Sequence, residues 1–588
     1  MPVELKRRLR YWFAGACCAL LAALPLGKAL AQPEGFAQPG LLHLVLAQQG
    51  KLTYWQLASS GRASRQPLPQ NQQVPLGSLW KLWVYAYLAD SGAGASAANA
   101  ETPYTCQGNN PEEAYCCSAK GEQVGRDLAL AKSCGLYFSP SRLNLDAAHW
   151  RTYWQSRGLP QALLDLGHLT PDQQVPLAEL LNSLAQLPAQ EQAKRALLQV
   201  LLSPQGKPHA ARVGSRLRIK TWSWRDEAAN PIGGFAGWLA DGTVLWAQAE
   251  GTSAQVLSRY GAALNTHLPN PPPIHDTSCV QVQLFAAYPI KTVLDAQGQT
   301  AKAGPLQGQF RVEFVKGTAL TFTSHGETRL GTTDTGQPQL TADLTQAEYI
   351  ARVLEREAAA QPVEAAKALA IAARTYLIQN ARRAPDPRGT GDGQGECWQI
   401  DDSSQTQRVS PSPATAKTRA IADWTADLIS SGASVRYHLD QPGSNRLVWK
   451  TAVQQAQQGF SFYEILNLAF PQNDLTSEYS STSLCQPLPQ ARAWLAGQIP
   501  KWRAALLSEP GFAPPPLPQL CQLPSGNPFN DTARNRIFAR GHYSLQQRLD
   551  ITHEYLHLAF ADYPSGQDET YIEQLARRLL LGQELSHD

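Results

Sequence analysis

Apolar runs bounded by polar and turn-forming residues predict a β-hairpin over Leu41–Gln48 and Leu52–Leu57. An apolar helix is expected over Ser78–Ala89, and later strands over Arg216–Trp222 and Thr243–Ala249. Cys279–Ala287 alternates like a half-buried strand. Thr345–Ala360 and Pro362–Gln379 read as a helical pair, with Pro362 suited to a first helical position. Two further helices are expected near the end, one spanning Tyr543–Ile551 and continuing through Phe560, the other Glu569–Leu581.

Pro-rich seams divide these elements. Leu268–Ile274 carries consecutive prolines that deny both helix and sheet hydrogen bonds, and Pro510–Pro528 is a second weak zone. Pro387–Glu396 is Gly-rich and reads as a loop. The expected organisation is a leader over 1–31, a domain over 32–268, a linker over 269–275, a domain over 276–480 and a C-terminal segment over 481–588. The fold class is multidomain, α/β and α+β, with a mainly helical C-terminus.

Composition narrows the functional classes. With 43% hydrophobic residues among 588, the chain can fill several cores, which excludes wholesale disorder. After residue 31 no apolar run approaches the ~20 residues that span a bilayer. The formal charge of +3 is concentrated in the first 31 residues, where Lys6, Arg7, Arg8, Arg10 and Lys28 face only Glu4. The remainder is close to neutral and has no basic stripe, which argues against nucleic-acid binding. The same 31 residues form a basic region, an apolar stretch from Phe13 to Leu26 and a small-residue site at Ala29-Leu30-Ala31, the pattern of a cleaved secretory signal. Export makes disulfides the expected state of the eight remaining cysteines. Cys106, Cys116, Cys117 and Cys134 lie close enough in sequence for local bridges, and Cys485 with Cys521 forms another candidate pair.

Ser78-Leu79-Trp80-Lys81 is an S-x-x-K motif at a predicted helix start. Residues i and i+3 share a helix face, so the Lys81 amine can reach the Ser78 hydroxyl and serve as its base. Ser133-Cys134-Gly135 and Lys220-Thr221-Trp222 follow in order, then Gly234-Phe235-Ala236-Gly237-Trp238. Together these resemble the serine β-lactamase and penicillin-binding transpeptidase fold over most of residues 40–260. The resemblance implies Ser78 and Lys81 as catalytic residues and Ser133, Lys220 and Thr221 as substrate-binding ones. Gly135 stands where that family offers a carboxamide, and Trp222 where it has glycine. Both departures imply a degenerate domain that binds peptidoglycan peptides or supports its neighbours, with Trp222 expected to crowd the strand edge.

The string from Glu348 to Glu357, followed by Glu364 to Tyr376 with Ile371-Ala372-Ala373-Arg374-Thr375-Tyr376, resembles the stage II sporulation protein D family. Gln405–Arg408 and Ala452–Leu475 resemble later parts of the same domain. That family includes amidase enhancers and peptidoglycan lytic transglycosylases, and by motif position Glu357 is implied as the catalytic acid. Such an acid protonates the glycosidic oxygen and then accepts a proton from the attacking hydroxyl. Apolar Val353, Leu354 and Ala358 are expected to raise its pKa. Ala358 departs from the family's usual methionine, and Arg352 from its small residue.

His553-Glu554-Tyr555-Leu556-His557 is H-E-x-x-H. In a helix the two histidines lie one turn apart and can grip one Zn²⁺, with Glu554 beside them as general base. Glu573-Gln574-Leu575-Ala576 resembles the third-ligand pattern of gluzincin metallopeptidases, which implies Glu573 as a metal ligand; Asp568, Glu569 and His542 are the alternatives.

The leading expectation is an exported, periplasmic or secreted, envelope protein that binds or remodels peptidoglycan, through Glu357 or by enhancing an amidase. The alternatives are a zinc metallopeptidase using His553, Glu554 and His557 with wall-targeting domains, and a non-catalytic scaffold. Peptidoglycan, cell-wall amidases and other envelope proteins are the expected partners, with no nucleic acid and no transmembrane span after signal cleavage.

Overall fold

The strand Leu41–Gln48 is buried on both faces: Leu42, Leu44 and Leu46 enter one hydrophobic core, and Val45 enters another. Both cores follow from one apolar run, since neighbouring side chains leave a strand on opposite sides. This strand lies inside a six-stranded antiparallel sheet, in the order Ala63–Gln66, Lys51–Ala58, Leu41–Gln48, Val244–Glu250, Pro231–Leu239, Leu217–Arg225. On one face the helix Trp80–Ala89 and its helical neighbours form the second core; on the other lies the helix Ser253–His267, started by a Thr252/Gln255 capping box.

This computed structural model describes residues 40–90, 102–117, 120–202, 213–225, 229–269, 278–333, 335–385, 396–403, 407–431, 435–443, 445–478, 488–522, 528–531, 535–561 and 563–582. The expected leader, the Pro-rich linker beyond 269, most of the Gly-rich loop and Cys485 fall outside the described residues.

A seven-stranded sheet organises the middle of the chain. Its strand Cys279–Leu284 pairs antiparallel with Pro338–Leu344 and parallel with Glu396–Asp401, where Cys279 lies opposite Cys397 and is disulfide-bonded to it. The helices Gln346–Glu357 and Val363–Asn380 follow, the second almost wholly buried. Arg374 on that helix is 1% exposed. It donates to the carbonyls of Ala422, Thr425 and Leu428 and to Gln346, which is a structural role. One hydrophobic core runs without a break from the N-terminal sheet into this middle sheet, and Arg218 pairs with Asp427 across the junction at 2.6 Å.

The C-terminal part holds the helices Pro489–Leu507, Leu545–Ala559 and Glu569–Leu581. It is less purely helical than the sequence suggests, because Gln519–Gln522, Arg536–Ala539 and Phe529–Asp531 form a three-stranded sheet. The first of these strands sits inside the Pro-rich zone. Its prolines flank a short apolar stretch, Leu520-Cys521, which is buried by pairing with Leu520 opposite Ile537 and Cys521 opposite Phe538. The chain as a whole is a mixed α/β multidomain protein, and no described helix is long and apolar enough to cross a membrane.

Candidate functional site

Ser544 and Gln547 form a capping box that starts the helix Leu545–Ala559, fixing its turns so that His553 and His557 project from one side. Their Nε2 atoms lie 3.0 Å apart. The helix Glu569–Leu581, capped by Asp568 through the amides of Thr570 and Tyr571, brings Glu569 to the same point. Its Oε2 is 3.2 Å from His553 Nε2 and 3.5 Å from His557 Nε2. One ligand atom from each of His553, His557 and Glu569 lies within 4.8 Å of the others, a spacing compatible with one metal ion.

The outer nitrogens are also engaged. His553 Nδ1 meets Glu573 Oε2 at 3.1 Å, and His557 Nδ1 meets the Gly566 carbonyl at 2.8 Å. Gly566 has to be glycine, because a Cβ there would lie 2.1 Å from the Phe560 carbonyl oxygen. Both acceptors favour Nδ1–H, which leaves each Nε2 a ligand atom in the neutral ring and a second donor, toward Glu569, in the protonated one. Burial lowers the His553 pKa, but the hydrogen bond to Glu569 and the charges of Glu554, Glu569 and Glu573 outweigh it and bring it to about 8. Hydrogen bonds from His553 and His557 hold the Glu569 carboxyl well below the usual range. Glu554 is buried, and its carboxylate accepts from Asn530 Nδ2 at 2.8 Å, a contact made by the strand that the sequence reading missed. Glu569 thus occupies the inner position, while Glu573 sits on the far nitrogen of His553 and pairs with Arg577 at 2.7 Å. Asp568 is spent on capping, and the His542 carbonyl accepts from Arg548.

Glu357 ends the helix Gln346–Glu357. Its Oε1 accepts from the Arg408 amide at 2.9 Å, and Oε2 accepts from Arg408 Nη2 at 2.6 Å and Nε at 3.1 Å. The expected apolar surroundings are not what meets this carboxylate: Val353 and Leu354 face the core, and Arg408 holds it instead. Beside it, Asp402 accepts from the amides of Val409 and Phe285 at 3.3 and 3.4 Å. Burial pushes the Asp402 carboxyl up to about 7, against the pull of those amides and of Arg356. Nothing in the local spacing of the sequence singles out Asp402. Arg352, buried at 1% exposure, pairs with Glu327 and Glu348.

The third cluster lies in the N-terminal unit. Lys81 Nζ donates to the Ser133 carbonyl at 2.8 Å, to Ser133 Oγ at 3.2 Å and to Ser78 Oγ at 3.4 Å. Burial lowers the Lys81 pKa to about 8, partly countered by Glu112. Lys220 is fully buried and donates to the Thr221 carbonyl at 3.0 Å, and burial together with Lys81 drives its pKa far down. Trp222 does not crowd the strand edge. It is 1% exposed, stacks on Trp246 with ring centroids 6.0 Å apart and packs into the core. Gly77 and Gly234 make the room: a Cβ on either would lie 2.9 or 2.6 Å from the Trp222 side chain. The parity of the strand explains this, since Trp222 points to the same buried face as Lys220. The local bridges are Cys106–Cys117 and Cys116–Cys134. Cys521 is also disulfide-bonded, and its candidate partner Cys485 lies outside the described residues.

The model of a family described as "Predicted secreted protein (DUF2300)" matches residues 108–230 and 445–565. The "Stage II sporulation protein" (SpoIID) model matches residues 334–429, between those two stretches. "Uncharacterized protein YfaQ" of Escherichia coli (strain K12) is 47% identical over 545 residues, covering 92% of this chain and 96% of that protein. Among solved structures, the class D β-lactamase FUS-1 (OXA-85) from Fusobacterium nucleatum subsp. polymorphum is 14% identical over 39% of this chain and 91% of its own, with a TM-score of 0.27. The transpeptidase domain of the FtsI4 D,D-transpeptidase from Legionella pneumophila is 12% identical over 39% of this chain and 88% of its own, with a TM-score of 0.26. The chain belongs to the same family as YfaQ, and it is an exported protein that carries the two stretches of the predicted secreted protein model with a stage II sporulation protein segment set between them.

Proposed function

We propose that this protein is a zinc-dependent hydrolase of the bacterial cell envelope, held on peptidoglycan by its middle and N-terminal units. One observation carries the reading: His553 and His557 Nε2 and Glu569 Oε2 converge while both Nδ1 atoms meet oxygen acceptors. Two imidazole nitrogens and one carboxylate oxygen at such range are placed to close on a single cation. The donor set of two imidazoles and one carboxylate suits zinc and leaves a fourth position for water. Bound zinc would supply an acidified water and a polarised carbonyl. Glu554, oriented by Asn530, would take the proton from that water and return it to the leaving amine. Glu573 and the Gly566 carbonyl would hold the rings in register. The sporulation-type segment favours peptidoglycan as the surface on which this happens. The Ser78–Lys81–Ser133 cluster of the N-terminal unit would take the wall's stem peptides. The test is release of soluble fragments from purified sacculi. Wild type should release them, and Glu554→Gln should release none while still holding zinc.

A second reading, glycan cleavage at Glu357, is favoured by the match of the sporulation protein model across Glu357, Asp402 and Arg408. Wild type should then release anhydro-muropeptides and Glu357→Gln should not. Equal digestion by the two proteins sinks this reading.

A further inference from the structure

Glu357 and Asp402 are held by consecutive backbone amides. The Arg408 amide donates to Glu357 Oε1 at 2.9 Å, and the Val409 amide donates to Asp402 Oδ1 at 3.3 Å. One residue step is about 3.8 Å, so the two oxygens lie within about 10 Å of each other, a span over which two carboxyl groups can serve one glycosidic bond.

The segment that carries both amides is fixed from below. Gln407 is fully buried, accepts from the Tyr349 hydroxyl and donates to the Ala373 carbonyl at 3.0 Å. The Ser410 amide donates to the Arg352 carbonyl at 3.1 Å. Asp402 is pinned separately, just past the strand Glu396–Asp401. Its amide donates to the Gln283 carbonyl at 2.9 Å, and its Oδ2 accepts from the Phe285 amide at 3.4 Å.

The two carboxyl groups differ in their partners. Both oxygens of Glu357 accept from Arg408, whose Nε and Nη2 meet Oε2. A group so engaged presents lone pairs rather than a proton, and Oε1, with one donor, keeps a lone pair for another. Among the described residues Asp402 accepts only from neutral amides at long range and makes no ion pair. Arg356, Arg408 and Asp401 are the charged groups that act on it, and its burial favours the protonated form. Two carboxyl groups in one site whose surroundings part them in this way suit the two halves of an acid–base pair.

We propose that Asp402 delivers the proton to the glycosidic oxygen in the cleft at Glu357, while Glu357 takes the accepting half. This rests on the second reading above, glycan cleavage. As the bond from C1 to the leaving oxygen breaks, that oxygen receives the Asp402 proton. The 6-hydroxyl oxygen of the same sugar bonds to C1 and gives its proton to Glu357, which yields the anhydro sugar. Solvent then carries the proton from Glu357 back to Asp402.

A substrate whose leaving group needs no proton separates the two roles. Sacculi and the 4-methylumbelliferyl glycoside of N-acetylmuramic acid are each given to the mature full-length protein, and wild type should cleave both. Asp402→Asn should release anhydro-muropeptides from sacculi at least about 100-fold more slowly. The same variant should cleave the aryl glycoside close to the wild-type rate, which also shows that it is folded. Glu357→Gln should lose both activities, because the acceptor is missing in each. Sacculus digestion by Asp402→Asn at the wild-type rate, its failure on the aryl glycoside, or rescue of Glu357→Gln by that glycoside overturns the proposal alone. Wild type that releases no anhydro-muropeptides overturns the glycan reading and the proposal with it.

Discussion

His553 and His557 present their Nε2 atoms to each other at 3.0 Å, and each has its Nδ1 on an oxygen acceptor. The acceptors differ in kind. His557 uses the Gly566 carbonyl, whereas His553 uses the Glu573 carboxylate, which also pairs with Arg577. On the proposed zinc reading, Glu573 would therefore orient His553 rather than bind the ion. Glu573→Gln should keep zinc stoichiometry at saturation but weaken affinity about 10–100-fold. Glu569→Ala should lose the ion. Competition with a chromophoric chelator reads both, and loss of stoichiometric zinc in Glu573→Gln would restore Glu573 as the third ligand.

Asp402 gives a pH-dependent prediction. The unfolded chain releases this proton near the ordinary aspartate value of about 4, whereas the folded protein holds it up to about 7. The folded state thus binds more protons in that window, and stability falls as pH rises from about 4 to about 7. Asp402→Asn removes the effect. The variant should gain on the wild type across that window, by on the order of 1–2 kcal/mol above pH 7, less than the full conversion of the shift because the group is partly exposed. Urea unfolding at pH 5 and pH 8 measures this; a variant that loses ground at pH 8 contradicts it.

Trp222 was legible as a departure from a motif but not as a buried residue. Its placement depends on glycines at 77 and 234, far apart in sequence, and on a stacking partner at 246. Trp222→Ala should cost about 3–5 kcal/mol of stability. Trp222→Phe, which keeps most of the packing, should bind wall peptides like the wild type. A large loss of peptide binding without a loss of stability would put the indole in the cleft after all.

The same contrast holds elsewhere. Periodicity and capping exposed the helices that carry Glu357, His553 and His557, because 3.6-residue spacing and an N-cap are local signals. Cys106, Cys116, Cys117 and Cys134 were legible as a cluster because their bridges close short loops. Cys279–Cys397 was not, since 118 residues separate two cysteines that meet only as neighbours across a parallel strand pair. Arg408 on Glu357, Asn530 on Glu554 and Glu569 in the inner position are tertiary placements. Spacing could name Glu569 and Glu573 as candidates one turn apart, and only the packing of the two helices separates their roles.

The central claim is the metal centre, and zinc content of the purified mature protein tests it most directly. Wild type, prepared without chelator, should carry about one zinc per chain. His553→Ala, His557→Ala and Glu569→Ala should each lose it, while Glu554→Gln should retain it and lose hydrolysis. A wild-type protein that is folded, metal-free as purified and still metal-free after zinc is added would contradict the account.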